Sequence, residues 1–286
     1  MMQKLSTLDL LATPAWACTA EPRLSYCLYV PRRVEAVPER FRLLVAVHGT
    51  DRRSEEMRDF FAAFAEREDC IVLAPLFPGN LGVPGDLDGY KYLDHGGIRY
   101  DRALQDMVAE VAGRYGLACS RFLLFGFSGG AHFAHRYAYL HPETLIAASV
   151  AAPGMITLPD PREPYWSGLA GLEAVAGRPL ALERLQALPI QVAIGMKDDS
   201  GHRSPVPPGT GITDAHVARV GVTRLDRARF LSDALRRFGV AVTHTEVPDA
   251  GHQFLPLGTA ALPFLGAALA RHRGEADRRA TATLAG

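Results

Sequence analysis

The sequence has few cysteines, no excess of charge of either sign and no long uninterrupted apolar run. Four cysteines in 286 residues are too few for a disulfide framework. Three of the four (Cys18, Cys27, Cys70 and Cys119) lie beside apolar runs typical of buried strands, where a thiol packs as a small hydrophobe. We therefore expect core residues here rather than disulfides or metal ligands.

The charges balance, with 31 basic and 31 acidic residues, which argues against attraction to nucleic acid or to an anionic membrane. No segment approaches the length of a transmembrane helix. Near the N-terminus, Asp9 and Pro14 interrupt the short apolar patch at 10–12, unlike a secretory signal peptide. These features favour a cytoplasmic protein that binds a small, mainly uncharged molecule, without nucleic-acid or membrane partners.

Strand and helix patterns alternate along the chain. Apolar residues make up 48% of the sequence, enough for a sizeable core. Unbroken apolar runs and strand-forming residues predict strands at 24–30, 43–47, 71–75, 122–125, 146–151, 190–194 and 240–246. Apolar residues at helical spacing predict helices at 54–67, 101–115, 129–141, 223–238 and 262–272. This alternation predicts an α/β fold with a mostly parallel central sheet flanked by helices.

The predicted elements fit a single α/β domain over residues 1–286. Residues 155–187 are longer than a plain connection between strands requires, so we expect a short cap-like insertion or a wall of the pocket. Residues 274–286 show little apolar periodicity and are expected to form a flexible tail. Ligand sites of such sheets lie at the carboxyl ends of the strands, so we expect the chemistry-bearing residues just after strands.

A G-x-S-x-G pattern at 126–130 places Ser128 directly between a predicted strand and a predicted helix. In that context the pattern is typical of a tight turn that raises a serine hydroxyl above the sheet. A structural turn is the alternative interpretation. We predict that Ser128 is a nucleophile.

A serine hydroxyl needs a base to take its proton, and histidine has a suitable pKa. His252 follows the last predicted strand, where the serine, acid, histidine order of this type of site places the base. His132 and His135 stand one turn apart and could pair on a metal, but no third ligand has a recognisable spacing. We expect these two to pack within the fold, and we predict neither a metal nor a cofactor.

The sequence GFSGGAHFAHRY at 126–137, with His48-Gly49 upstream, resembles the α/β-hydrolase superfamily, near its polyhydroxybutyrate-depolymerase-like and dienelactone-hydrolase-like serine esterases. The resemblance covers residues 24–272. It implies an α/β-hydrolase fold, an acyl-enzyme on Ser128 and a catalytic triad. The substrate is not implied by these motifs.

Two neighbouring carboxylates, Asp198 and Asp199, follow the strand at 190–194 and could orient His252. A glycine three residues before the acid is common in the superfamily, so Gly195 makes the resemblance favour Asp198. Asp199 remains the alternative. A third interpretation is that both are solvated loop acids that do not contact His252.

The resemblance also indicates an oxyanion hole. One donor would be the N–H of the residue after the nucleophile, Gly129, and the other would come from the loop after the strand at 43–47. There Thr50 is the expected donor and Asp51 the alternative, because the family's longer glycine run is missing.

Aromatic side chains near these motifs are candidates for an apolar pocket wall. We predict Phe127, Trp166 and Phe254 as substrate contacts; Tyr165 and Phe77 are further candidates, and core packing is the alternative for each.

Together these features predict a serine hydrolase that cleaves a small, mainly uncharged ester or related acyl compound. An amidase, peptidase or acyltransferase would use the same triad. A ligand-binding protein that keeps the fold without catalysis is the alternative from another class. A dehalogenase is disfavoured because it needs a carboxylate where Ser128 stands.

Overall fold

A computed structural model of the protein describes residues 5–118, 121–199, 201 and 214–284. Its strands are β1 (Leu11–Ala12), β2 (Trp16–Ala17), β3 (Ser25–Val30), β4 (Arg42–Val47), β5 (Cys70–Leu76), β6 (Asp94–His95), β7 (Ile98–Arg99), β8 (Phe122–Phe127), β9 (Leu145–Ala151), β10 (Ile190–Gly195) and β11 (Val242–Val247). Its helices are α1 (Ser54–Phe60), α2 (Ala62–Glu68), α3 (Tyr100–Tyr115), α4 (Gly129–Leu140), α5 (Leu172–Ala176), α6 (Leu182–Gln186), α7 (Asp214–Val220), α8 (Arg224–Arg237) and α9 (Phe254–Leu284).

Within the described residues, one large sheet of nine strands organises the fold. Its order is β1-β3-β5-β4-β8-β9-β10-β11, and β2 pairs with β3 at the edge. The strands from β5 to β11 in that order are parallel, whereas β3 runs antiparallel to β5. Five central strands (β4, β5, β8, β9 and β10) are almost wholly buried, which explains their unbroken apolar runs. The predicted fold class is confirmed.

Parallel pairing brings the carboxyl ends of β4, β8, β10 and β11 to one edge of the sheet. The loops that leave these strands begin at 48, 128, 196 and 248. They carry the predicted oxyanion loop, nucleophile, acid and base, so residues distant in the chain meet at this edge.

Several boundaries differ from the predictions. The helix expected at 54–67 is two helices, α1 and α2, separated at Phe61. The helix expected at 262–272 begins at Phe254 and continues to Leu284, through most of the segment expected to be a tail. Residues after 273 include four Ala and two Arg, which favour helix without any apolar periodicity.

The expectation that no segment reaches the length of a membrane span was wrong. Residues Phe254–Ala276 of α9 are long and apolar enough to cross a membrane by length and composition alone. In the structure α9 packs on β9 and β10 and buries Leu257, Leu265 and Leu269 in the core. Helices that pack one face on the core of a globular protein can have the same length and composition, and α9 packs in this way.

The segment 155–187 contains α5 and α6 and is tied to the domain by buried polar contacts. Arg136 of α4 donates from Nε to Thr157 Oγ1 at 2.9 Å, and Tyr139 Oη donates to the Thr157 carbonyl at 2.9 Å. Three of the cysteines, Cys18, Cys27 and Cys70, are buried free thiols, as expected; Cys119 lies outside the described residues.

Candidate active site

Ser128 sits on the sharp turn between β8 and α4, with φ 54° and ψ −111°, a backbone conformation that costs strain in a non-glycine residue. The turn is possible because its neighbours are small. A Cβ on Gly126 would lie 2.1 Å from the Gly130 carbonyl oxygen, and one on Gly130 would lie 2.2 Å from that of Val47. These glycines let β8 and α4 approach closely enough to present the Ser128 hydroxyl at the sheet edge.

His252 lies in the loop between β11 and α9 and contacts both Ser128 and Asp198. Its Nε2 is 2.8 Å from Ser128 Oγ, and its Nδ1 is 2.7 Å from Asp198 Oδ2. An ionised carboxylate accepts only, so Nδ1 carries the proton and Nε2 accepts from the serine hydroxyl. The Phe127 ring packs against the imidazole, with centroids 5.1 Å apart. The structure thus brings Ser128, His252 and Asp198 into one hydrogen-bonded chain.

Of the two carboxylates predicted to orient His252, Asp198 is 3% exposed and contacts it, whereas Asp199 is exposed. Gly195 allows this arrangement: a Cβ there would lie 2.4 Å from the carbonyl oxygen of Ala250, in the base loop. Burial raises the pKa of Asp198, but the hydrogen bond from His252 and the charge of Arg224 outweigh it and hold the pKa below its ordinary value. The carboxylate is therefore kept ionised.

Arg224 is a site residue to which the sequence pattern assigns no function. Its Nη1 lies 3.1 Å from Asp198 Oδ1, so each carboxylate oxygen has its own partner. The Leu225 N–H donates to the Asp198 carbonyl at 3.2 Å, which docks the acid loop on the start of α8. A basic residue at the start of a helix does not by itself indicate a role. Its partner Asp198 lies 26 positions earlier in the chain, so local spacing does not predict their contact.

The residues predicted to supply the oxyanion donors lie close to Ser128. Gly129 is the first residue of α4, and the first N–H groups of a helix have no partner in their own helix. A Cβ on Gly49 would be 3.5 Å from Ser128 Cβ, so the loop carrying Thr50 and Asp51 passes beside the serine. That loop is anchored by buried His48, which accepts from the Phe77 N–H at 3.0 Å.

His132 and His135 do not form a metal site: the described residues contain no group of three or more His, Cys, Asp or Glu side chains able to hold a metal ion. His132 Nε2 accepts from the N–H groups of Gly154 and Met155 at 2.9 and 3.0 Å. His135 Nε2 accepts from the Thr157 N–H at 3.1 Å. The two histidines hold the loop that follows β9 against α4.

A cavity of about 470 Å³ opens beside Ser128. Its lining combines apolar and charged side chains: Leu87, Phe127, Asp51, Asp88, Lys91, His132 and Arg224. A second cavity of about 500 Å³ shares Asp51, Phe127 and His252 with the first and adds Met57, Phe254 and Leu255. Ser128 and His252 therefore lie in a groove with space on both sides.

The aromatic side chains predicted to line the pocket fall into two groups, those that line the groove and those that pack elsewhere in the domain. Phe127 and Phe254 line the groove. Trp166 packs on Tyr92, with centroids 4.6 Å apart, and under the Arg136 guanidinium at 5.0 Å, and Tyr165 stacks on Trp166. Phe77 is fully buried in the core.

No protein-family model and no curated protein sequence matches the chain. Solved structures do match it over most of its length. Poly(aspartic acid) hydrolase-1 from Sphingomonas sp. KT-1 has 22% identity and a TM-score of 0.69, covering 89% of this chain and 98% of that one. A poly(3-hydroxybutyrate) depolymerase from Bordetella parapertussis has 26% identity and a TM-score of 0.65, covering 87% of each chain. An S-formylglutathione hydrolase from Agrobacterium tumefaciens has 19% identity and a TM-score of 0.57, covering 87% and 90%.

These structures share the architecture described above, a mostly parallel sheet flanked by helices. The resemblance read from residues 126–137 and from His48-Gly49 implied the same fold. The chain therefore has the α/β-hydrolase fold.

Proposed function

We propose that the protein is a serine hydrolase that cleaves a carboxylic ester through an acyl-enzyme on Ser128. The observation that carries this proposal is the unbroken hydrogen-bonded chain from Ser128 through His252 to Asp198, at 2.8 and 2.7 Å. The match to a poly(3-hydroxybutyrate) depolymerase and to an S-formylglutathione hydrolase supports hydrolysis as the reaction.

In the first step His252 Nε2 takes the Ser128 proton as Oγ attacks the ester carbonyl. Asp198 accepts from Nδ1 and stabilises the imidazolium that forms. The carbonyl oxygen becomes an oxyanion, for which the Gly129 N–H and an N–H of Thr50 or Asp51 are the proposed donors. Collapse breaks the ester bond, and the leaving alkoxide takes the proton from His252.

In the second step water enters the groove and loses a proton to His252 as its oxygen attacks the acyl carbon. The second tetrahedral intermediate expels Ser128 Oγ, which recovers its proton from Nε2. The acid is released and the enzyme returns to its starting state. Every proton passes through His252, so the two steps need no further proton donor or acceptor.

The substrate we propose is small and mainly uncharged, because the cations lining the cavity have acidic partners. Lys91 pairs with Asp88, and Arg224 pairs with Asp198. Phe127 and Phe254 supply apolar wall on the two sides of His252. We further propose that residues 155–187 act as a cap over this domain.

We also propose that the protein works in the cytoplasm. Its three described cysteines are buried free thiols, which suits a reducing compartment.

The test is labelling with a fluorophosphonate probe, read by intact mass, together with hydrolysis of p-nitrophenyl esters of short and long acyl chains. Wild-type protein is expected to gain one adduct and Ser128→Ala none. Ser6→Ala is the matched control, because Ser6 is exposed and its hydroxyl donates to Asp9 Oδ2 at 2.7 Å and accepts from the Leu8 N–H at 3.2 Å, with neither partner an imidazole. A folded wild type that is neither labelled nor active would leave a ligand-binding protein as the better interpretation.

A further inference from the structure

Lys91 is a buried ammonium in the wall of the active-site cavity that the proposed reaction has not used. It is 2% exposed, and its side chain forms an ion pair with Asp88. Taking such a pair out of water carries a desolvation cost that offsets much of its attraction, so it does little for stability compared with apolar side chains of similar size. A charge kept at this cost beside a reacting group suggests a role in the reaction.

The position of Lys91 relative to Gly129 is the central observation. A Cβ on Gly129 would lie 2.8 Å from Lys91 Cε, 2.1 Å from Tyr90 Oη and 3.0 Å from Thr50 Oγ1. These are the three nearest atoms, so the cationic member of the Lys91–Asp88 pair is the one that faces Gly129. Lys91 Nζ is one covalent bond beyond Cε. The end of the Lys91 side chain therefore lies beside Gly129 and the Thr50 side chain, in the wall of the cavity that Ser128 also lines.

Lys91 lies in a short 3-10 turn, Gly89–Tyr92. This turn is fixed to both elements that supply the proposed oxyanion donors. Arg136 of α4, itself 1% exposed, donates from Nη1 to the Lys91 carbonyl at 2.7 Å. Tyr90 Oη donates to the His48 carbonyl at 3.3 Å, next to the oxyanion loop. The ammonium is thus held in place before substrate binds, as electrostatic stabilisation of a transition state requires.

We propose that Lys91 is an electrostatic residue of the oxyanion site: its positive charge, placed by Asp88 and by the 89–92 turn, stabilises the negative charge that develops on the substrate oxygen. This inference rests on the proposed serine hydrolase function. Lys91 exchanges no proton in the step, since the oxyanion forms and collapses beside it.

The charge of Lys91 reaches the elements around Ser128. Burial, and after it the positive charges of Arg136 and Lys91, lower the pKa of His132 on α4. Lys91 is itself faced by Asp88 from its own turn, by Arg52 from the oxyanion loop and by Arg136. Burial lowers the pKa of Lys91 and the Asp88 pair raises it, with burial the larger effect.

The test compares Lys91→Met, which keeps most of the stem, with Lys91→Arg, which keeps the charge. On a neutral p-nitrophenyl ester, Lys91→Met is expected to lower kcat roughly 10- to 100-fold with KM changed less than about threefold. Its affinity for a phenylboronic acid, which forms an anionic tetrahedral adduct on the serine, should fall by a similar factor. Lys91→Arg should recover most of both. Arg67→Met is the matched control for loss of a cation, because Arg67 lies on α2, is exposed and pairs with Glu68 at 2.9 Å.

The pH profile of kcat gives a readout that a packing role would not change. Wild-type kcat should fall at alkaline pH as Lys91 loses its proton, and in Lys91→Arg this fall should move to higher pH. If Lys91→Met does not fold, Lys91→Gln replaces it with the same expectations.

Two results would overturn the inference. One is a charge-free variant with wild-type kcat and boronate affinity; the other is an equal loss in Lys91→Arg and Lys91→Met. Both differ from failure of the proposed function itself, in which the wild type would neither hydrolyse esters nor label at Ser128.

Discussion

Arg224 Nη1 lies 3.1 Å from Asp198 Oδ1, while His252 Nδ1 lies 2.7 Å from Oδ2 of the same carboxylate. The two donors approach different oxygens, so they fix the plane of the carboxylate and not only its charge. Because Asp198 is 3% exposed, water supplies little of this orientation. Arg224 is therefore a positioning residue for the Ser128–His252–Asp198 chain.

Arg224→Gln is expected to lower kcat/KM roughly 10- to 100-fold, because a carboxylate held at one oxygen allows His252 to move away from Ser128. The Arg224 charge also helps to lower the pKa of Asp198. Without it Asp198 takes up a proton at higher pH, so the loss should grow as the pH falls. Steady-state kinetics on one ester across the acid pH range measures both effects.

Arg229→Gln is the matched control for that variant, since Arg229 lies on the same helix, is exposed and pairs with Glu246 at 2.6 Å. It should keep wild-type kinetics. An Arg224→Gln protein with unchanged kcat/KM at every pH would show that Asp198 is held without the guanidinium.

Asp198→Asn should cost far more activity than Asp199→Asn. An amide at 198 can no longer accept from Nδ1 in the way a carboxylate does, and His252 is then held in the wrong tautomer, a change worth about 10⁴ in kcat in a comparable triad. Asp199 is exposed, so its amide variant should stay within about twofold. Kinetics of the purified, folded variants decide this, and equal losses would refute the assignment of the acid.

The parts of the site that the sequence predicts are those tied to strand ends. A parallel sheet collects its carboxyl ends at one edge, so a pattern at 126–130 and a histidine after the last strand are enough to bring Ser128 and His252 together. The choice between Asp198 and Asp199 could not be made from the residues alone. Their side chains leave the loop in different directions, and only the packing of the base loop over Gly195 determines which one is buried.

Arg224 and Lys91 could not be predicted because their roles depend on contacts between distant segments. Lys91 lies in a loop rich in glycine and proline, where periodicity carries no information, and it reaches Gly129 only through the anchors of that loop. The start of α9 was missed for a different reason. Pro256 and Gly258 lower helix propensity at its first turns, and packing on the sheet outweighs that local cost.

Gly130→Ala is expected to destabilise the protein by at least about 2–3 kcal/mol, because its Cβ would lie 2.2 Å from the Val47 carbonyl oxygen and the backbone of β4 must move. Gly113→Ala is the matched control. Gly113 is exposed on α3 with no atom within 4 Å of its added Cβ, so alanine there should stabilise the helix by about 1 kcal/mol. Urea denaturation measures the difference, and a neutral Gly130→Ala would contradict the close approach at the turn.

Three buried histidines make stability depend on pH. Burial lowers the pKa of His48 to about 4 and that of His135 to about 3, and it lowers the pKa of His132 well below its ordinary value. In the unfolded chain each takes up a proton near pH 6.5. The unfolded state therefore binds more protons below that pH, and folding stability is present above it and is lost as the pH falls. At about 1.4 kcal/mol per pH unit for each histidine, roughly 3–4 kcal/mol should be lost between pH 6 and pH 5.

The contribution of one histidine can be separated from the others through His135, which accepts from the Thr157 N–H at 3.1 Å and contacts the Ala131 carbonyl oxygen through Nδ1 at 2.7 Å. Glutamine has one acceptor and one donor group for these two partners and does not titrate. His135→Gln should therefore reduce the loss between pH 6 and pH 5 by about 1 kcal/mol, because it removes one proton uptake. Free energies of unfolding from urea titrations at half-unit pH steps give both slopes. A wild-type stability that does not change over this range would show that these imidazoles are not held neutral in the folded protein.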